Sequence, residues 1–181
     1  RAAFAAVESL EDPHVAYCLL RSTCGFSRLV HILRTVPPTQ ARKGAHAFDE
    51  ALAKAARTCL RVPVKGPVWD QACLSVAHGG LGFRLTSIHR SAAYIASVSE
   101  CAHLDKWDAA ECGHWQEAVE DYDARVVVAA RITKSSNPTA PRKQHDLSKA
   151  IDDLIFARRV VAVDPKDVFL VAHLQSVGTA D

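Results

Sequence analysis

The chain has 181 residues, 49% hydrophobic and 23% charged, with a formal net charge of +2. This is an ordinary globular composition, long enough for one full-size core or a domain with an appendage. No run approaches the roughly 18 apolar residues of a membrane span, and no basic stretch leads into an apolar one as in a secretory signal. No membrane partner is therefore expected, and the expected compartment is intracellular, cytoplasmic or nuclear.

Helical periodicity dominates from the start. Pro13 after Asp12 suits a first helical turn, with Val15, Cys18 and Leu19 falling on one face. Gly25 interrupts, and Phe26, Leu29, Val30 and Leu33 then repeat at helical spacing until Pro37-Pro38, which lack amide hydrogens, stop the run. Thr39 is the expected cap of the next helix. Its apolar stripe is Phe48, Leu52, Ala55, Ala56 and Cys59, with Arg42, Lys43, Glu50, Lys54 and Arg57 off it. Pro63, Gly66 and Pro67 end it. A short segment around Val68-Trp69 and Ala72–Leu74 precedes the glycine-rich stretch "SVAHGGLGFR" at 75–84.

Thr86 or Ser87 then caps a helix whose shared face is Ile88, Ala92, Ile95 and Ser99. Residues 114–132 read as an acidic helix ending in "RVVVAARI", for which a helix is preferred over a strand. "TKSSNPTAPRKQ" is the linker candidate. Ile151, Leu154 and Ile155 suggest a further helix, and Asp164-Pro165 starts a last one with Val168, Val171 and Leu174 inward. The expected fold is all-α, an irregular bundle of about six to eight helices. Its expected parts are a helical bundle over 1–104, an acidic helical extension over 105–133, a linker over 134–145 and C-terminal helices over 146–181.

Little in the sequence points to catalysis. A phosphate-binding loop needs a strand before it and either a terminal Lys-Ser/Thr or a full G-x-G-x-x-G; the stretch at 75–84 has neither. Gly79, Gly80 and Gly82 are read as a structural turn that uses positive φ, with Leu81 pointing inward. Asp152-Asp153 lie in a helical pattern, where neighbours point about 100° apart, so they read as a solvated pair and not as metal ligands. Cys101, His103, Cys112 and His114 supply four zinc-compatible ligand types, but their spacing matches no zinc-finger or knuckle pattern. No metal and no cofactor is assigned. The six cysteines, Cys18, Cys24, Cys59, Cys73, Cys101 and Cys112, are spread out, as expected of reduced, mostly buried thiols. No nucleophile signature such as G-x-S-x-G is present.

Charge is distributed unevenly. Residues 1–66 carry a balance of +5, residues 67–133 of −4 and residues 134–181 of +1. The basic third is the candidate polyanion surface, through Arg21, Arg28, Arg34, Arg42 and Lys43, with Arg84 after the glycines. The alternative is a helical protein–protein interaction domain with no nucleic-acid role. The chain begins at Arg1 and contains no methionine, from which it is expected to be a piece of a longer reading frame.

Across residues 14–98 the chain carries "VAYCLLRSTCGFSRLVHILRTVPP", "FDEALAKAARTCL", "WDQACLSVAHGGLGFR" and "SAAYIAS" in that order. This ordered set resembles the region downstream of the palm in reverse-transcriptase-like proteins of non-LTR retrotransposons. The resemblance covers about half the chain. It implies a thumb-like bundle closed by the GGLG turn, which grips an RNA–DNA or DNA duplex through its phosphates and partners a missing N-terminal polymerase domain. The chain has no Tyr-x-Asp-Asp motif, so the resemblance implies a non-catalytic piece of an RNA-directed DNA polymerase.

Overall fold

The computed structural model describes residues 2–61, 66–101, 112–135, 137 and 139–162. Among these the fold is all-α and contains no strand, the expected irregular helical bundle. The helices are α1 (Ala2–Glu8), α2 (Pro13–Ser22), α3 (Phe26–Thr35), α4 (Pro38–Leu60), α5 (Pro67–Cys73), α6 (Thr86–Cys101), α7 (Trp115–Asp123) and α8 (Gln144–Ala162). The helix expected from Asp164-Pro165 and the residue His103 lie outside the described residues.

The chain forms two compact units interleaved along the sequence. The first comprises residues 1–28, 49–85 and 155–181, and the second residues 29–48 and 86–154. The segments expected over 1–104, 105–133, 134–145 and 146–181 run consecutively, whereas these units interleave. Contacts between helices far apart in sequence define a unit, and helical periodicity carries no information about them.

In the first unit, α1 packs on α2; α1 lies before the first helix expected from the sequence. Asp12 caps α2, its Oδ1 accepting from the amides of His14 (2.8 Å) and Val15 (3.2 Å), and Pro13 stands where its missing amide hydrogen costs nothing. The buried face of α2 is Ala16 and Leu20, while Val15 and Cys18 are exposed. The expected stripe is thus one residue out of phase. Tyr17 accounts for the rotation: its hydroxyl donates to the Leu81 carbonyl at 2.9 Å, and its ring meets Phe83 edge-on. On α4 the stripe Leu52, Ala55, Ala56 and Cys59 is buried as its spacing requires.

In the second unit, Pro37 rather than Thr39 flanks the start of α4: its carbonyl accepts from the Ala41 amide at 3.0 Å. Thr39 lies inside the helix and donates to Glu117 at 3.1 Å. Helix α6 packs against α7 and is buried nearly all round, so its sequence carries small residues (Ser91, Ala92, Ala93, Ala96, Ser99) in place of a single stripe. Two ionisable side chains, Arg90 and His89, are buried with it. Arg90 donates to the carbonyls of Pro38 (3.1 Å) and Ser87 and to Asp121 (2.7 Å). His89 meets Asp152 at 3.2 Å. Asp152 is therefore a buried partner of α6, not half of a solvated pair. Asp153 pairs with Lys149 on the surface of α8.

Helix α7 ends at Asp123, well short of residue 132, and "RVVVAARI" forms neither helix nor strand but a loop with 3₁₀ turns at Val128–Ala130 and Ile132–Lys134. Asp123 imposes this. Its buried carboxylate accepts from the Ile132 amide (2.8 Å) and from the amide and hydroxyl of Thr133 (3.2 and 2.6 Å), folding the loop back. Consecutive β-branched valines are poor at resisting that pull. Asp123→Ala is expected to cost about 2 kcal/mol, since charge-assisted bonds to buried donors are lost; equilibrium urea unfolding measures it. The linker candidate ends docked, with the Arg142 amide donating to the Ser99 hydroxyl at 3.1 Å.

Candidate nucleic-acid interface

The glycine turn follows α5 and a 3₁₀ turn at Val76–His78. Gly79 (φ 70°) and Gly82 (φ 73°) hold the positive φ that a tight reversal needs. Gly80 is required for a different reason: a Cβ there would lie 2.1 Å from the Leu74 carbonyl oxygen and 2.7 Å from that of Gln71.

Every backbone amide from Gly79 to Arg84 is spent inside the chain. Gly79 donates to Val76, Gly80 to Ser75, Leu81 and Phe83 to Ala72, Gly82 to Leu74 and Arg84 to Gly82, over 2.9–3.3 Å. A phosphate cradle works by leaving such amides pointing outward, so this loop cannot act as one. Gln71 fastens the turn by donating to the Gly79 carbonyl at 3.1 Å, and Phe83, fully buried, stacks on Trp69. Leu81 does not point inward: its carbonyl is taken by Tyr17 while its side chain is exposed.

The turn instead positions cations. Arg21 of α2 lies over Gly82, its Nε 3.0 Å from where a Cβ would sit, with Val76 3.5 Å from the same point. Arg84 holds its guanidinium 5.9 Å from the Phe26 ring centre. Arg28 follows half a turn beyond Phe26, its amide on the Gly25 carbonyl at 3.1 Å. Arg21 and Arg28 are exposed, and no ion pair engages either of them among the described residues. The first unit thus gathers three of the six expected contact residues around the α2–α3 junction and the glycine turn. The signals that reveal their setting, Tyr17, Gly25 and Phe26, look like ordinary packing residues in the sequence.

The other three belong to the second unit. Arg34 is committed to Glu100 at 2.5 Å, while Arg42 and Lys43 are exposed on α4. The same unit holds part of the Cys/His set. Cys101 and Cys112 line one cavity of about 440 Å³, whereas His114 turns to Glu117 at 3.4 Å. No group of three or more His, Cys, Asp or Glu side chains is placed to hold a metal among the described residues. Burial pushes the Cys73 thiol up, with the charges of Asp70 and Asp49 adding to it, and burial with Glu8 pushes Cys59 up. Neither is poised as a nucleophile at neutral pH. Among the described residues, no helix is long and apolar enough to cross a membrane. No protein-family model, curated protein or solved structure matches the chain.

Proposed function

We propose that this chain is a non-catalytic, reverse-transcriptase-like piece that grips a primer–template duplex through its phosphate backbone. The observation that carries the reading is the exposed pair Arg21 and Arg28, free of carboxylate partners among the described residues, beside Arg84 at a rigid turn. Exposed guanidinium groups without carboxylate partners suit phosphate oxygens, and contacts to phosphate set position without reading sequence. Arg42 and Lys43 are further contact residues in the second unit. Arg34, already held by Glu100, contributes less than the others.

Arg21→Ala and Arg28→Ala are each expected to weaken binding to an RNA–DNA hybrid and to duplex DNA alike, and to lower the salt slope by about one charge. Arg34→Ala is expected to change it least. Fluorescence anisotropy at several salt concentrations checks this; loss confined to one base sequence contradicts it. The second reading, a helical interaction domain, draws on Val76 (51% exposed) and Leu81 (37%) beside Arg21. Unchanged duplex binding in Arg21→Ala and Arg28→Ala would favour it.

A further inference from the structure

Helix α2 presents an exposed thiol that the duplex-gripping reading does not use. Cys18 stands one helical turn after His14, and the His14 Nε2 lies 3.9 Å from the Cys18 sulfur. Ala16 and Leu20, fully buried, face the core. His14 and Cys18 precede them by two residues each, about 200° around the helix axis, so the pair occupies the outward face. Both residues are exposed there. The helix beneath them is fixed at its start, where Asp12 accepts from the amides of His14 and Val15. The arginine of this helix, Arg21, lies over Gly82 instead.

We propose that His14 and Cys18 form a two-ligand site for a zinc ion, with water completing the coordination. A tetrahedral zinc with sulfur at about 2.3 Å and nitrogen at about 2.0–2.1 Å holds those two donors about 3.6 Å apart. The observed 3.9 Å is within a small side-chain rotation of that separation. Ligands four residues apart on one helix face are an arrangement by which helices grip zinc. Thiolate and imidazole are also donor types that zinc takes, whereas calcium and magnesium take oxygen. On binding, Cys18 gives its proton to solvent and coordinates as the thiolate. His14 binds through Nε2 as the neutral imidazole, with its hydrogen on Nδ1. No third protein ligand joins them among the described residues, so this is an exchangeable site and not a structural one. It lies apart from the arginines proposed to contact phosphate and is tested without nucleic acid.

The test is titration of the full reduced chain with cobalt(II), a spectroscopic stand-in for zinc, followed by displacement with zinc. The first equivalent is expected to give thiolate-to-cobalt charge-transfer absorption, which zinc then removes. Cys18→Ser should abolish that absorption. His14→Ala should weaken binding at least about tenfold, the loss that even an outer-shell partner causes. Cys101→Ser, which removes another exposed thiol, should change neither. X-ray absorption of the zinc-loaded chain should show one sulfur and one imidazole per metal. Charge-transfer absorption retained in Cys18→Ser, unchanged affinity in His14→Ala, or more than one sulfur per zinc would overturn the proposal. The X-ray measurement uses the unaltered chain, so it decides the matter even if a variant fails to fold.

Discussion

Gly80→Ala is expected to destabilise the chain by about 4 kcal/mol, at the upper end for a single substitution. The added methyl carbon would sit 2.1 Å from the Leu74 carbonyl oxygen and 2.5 Å from its carbon, with the Gln71 carbonyl oxygen at 2.7 Å. All three are backbone atoms, so no side-chain rotation relieves the clash. The segments that must move carry the bonds from Gly82 to Leu74 and from Leu81 and Phe83 to Ala72. Phe83 would be pulled from its place between Tyr17 and Trp69. Gly44→Ala is the contrasting control. It lies inside α4 with nothing within 4 Å of the new carbon, and it should stabilise by about 0.5–1 kcal/mol as helix propensity improves. Urea unfolding of both variants gives the comparison.

Asp121→Ala is expected to cost about 3 kcal/mol, because it withdraws a carboxylate from a guanidinium that has left water. The Arg90 side chain is 3% exposed and meets Asp121 at 2.7 Å; Ser91 donates to the same carboxylate, and Arg125 approaches at 3.0 Å. Breaking one side of such a buried pair leaves the desolvation of the other uncompensated. Burial alone would raise the Asp121 carboxyl. Hydrogen bonds from Arg125 and Ser91, with the charges of Arg125 and Arg90, outweigh burial and hold it below the usual range. Its contribution is therefore complete above the unfolded value of about 3.9 and is lost as pH falls through that value to the folded one. Unfolding midpoints from pH 6 down to pH 2.5 should show a steeper acid limb in the unaltered chain than in Asp121→Asn. Parallel limbs would contradict the assignment.

The helical class and several element limits could be read directly in the sequence, because they depend on local chemistry. Asp12-Pro13 starts α2 and Pro37-Pro38 separates α3 from α4, as a capping carboxylate and two missing amide hydrogens require. What depended on distant partners was not readable. The face of α2 was set by Tyr17 reaching a carbonyl 64 residues away. The apolar run after α7 was diverted by Asp123, and Asp152 found His89 on another helix. At the glycines, a turn was readable but not its reason. Positive φ belongs to Gly79 and Gly82, while Gly80 is confined by a close backbone approach that local periodicity cannot register.

The candidate interface divides in the same way. Exposure of Arg21, Arg28, Arg42 and Lys43 followed from their places off the apolar stripes. That Arg34 is engaged by Glu100 depends on a pairing 66 residues apart. The placing of Arg21 over Gly82 likewise rests on the absence of a side chain at a distant glycine. The most direct measurement of the gripping role is the affinity of the full chain for a labelled RNA–DNA hybrid between 50 and 200 mM salt, conditions over which phosphate contacts are read. Five phosphate contacts, from Arg21, Arg28, Arg42, Lys43 and Arg84, predict a slope of log K against log salt of about −4.5, with similar affinity for unrelated sequences. A folded chain that fails to bind at 50 mM, or binds with no salt dependence, would contradict it.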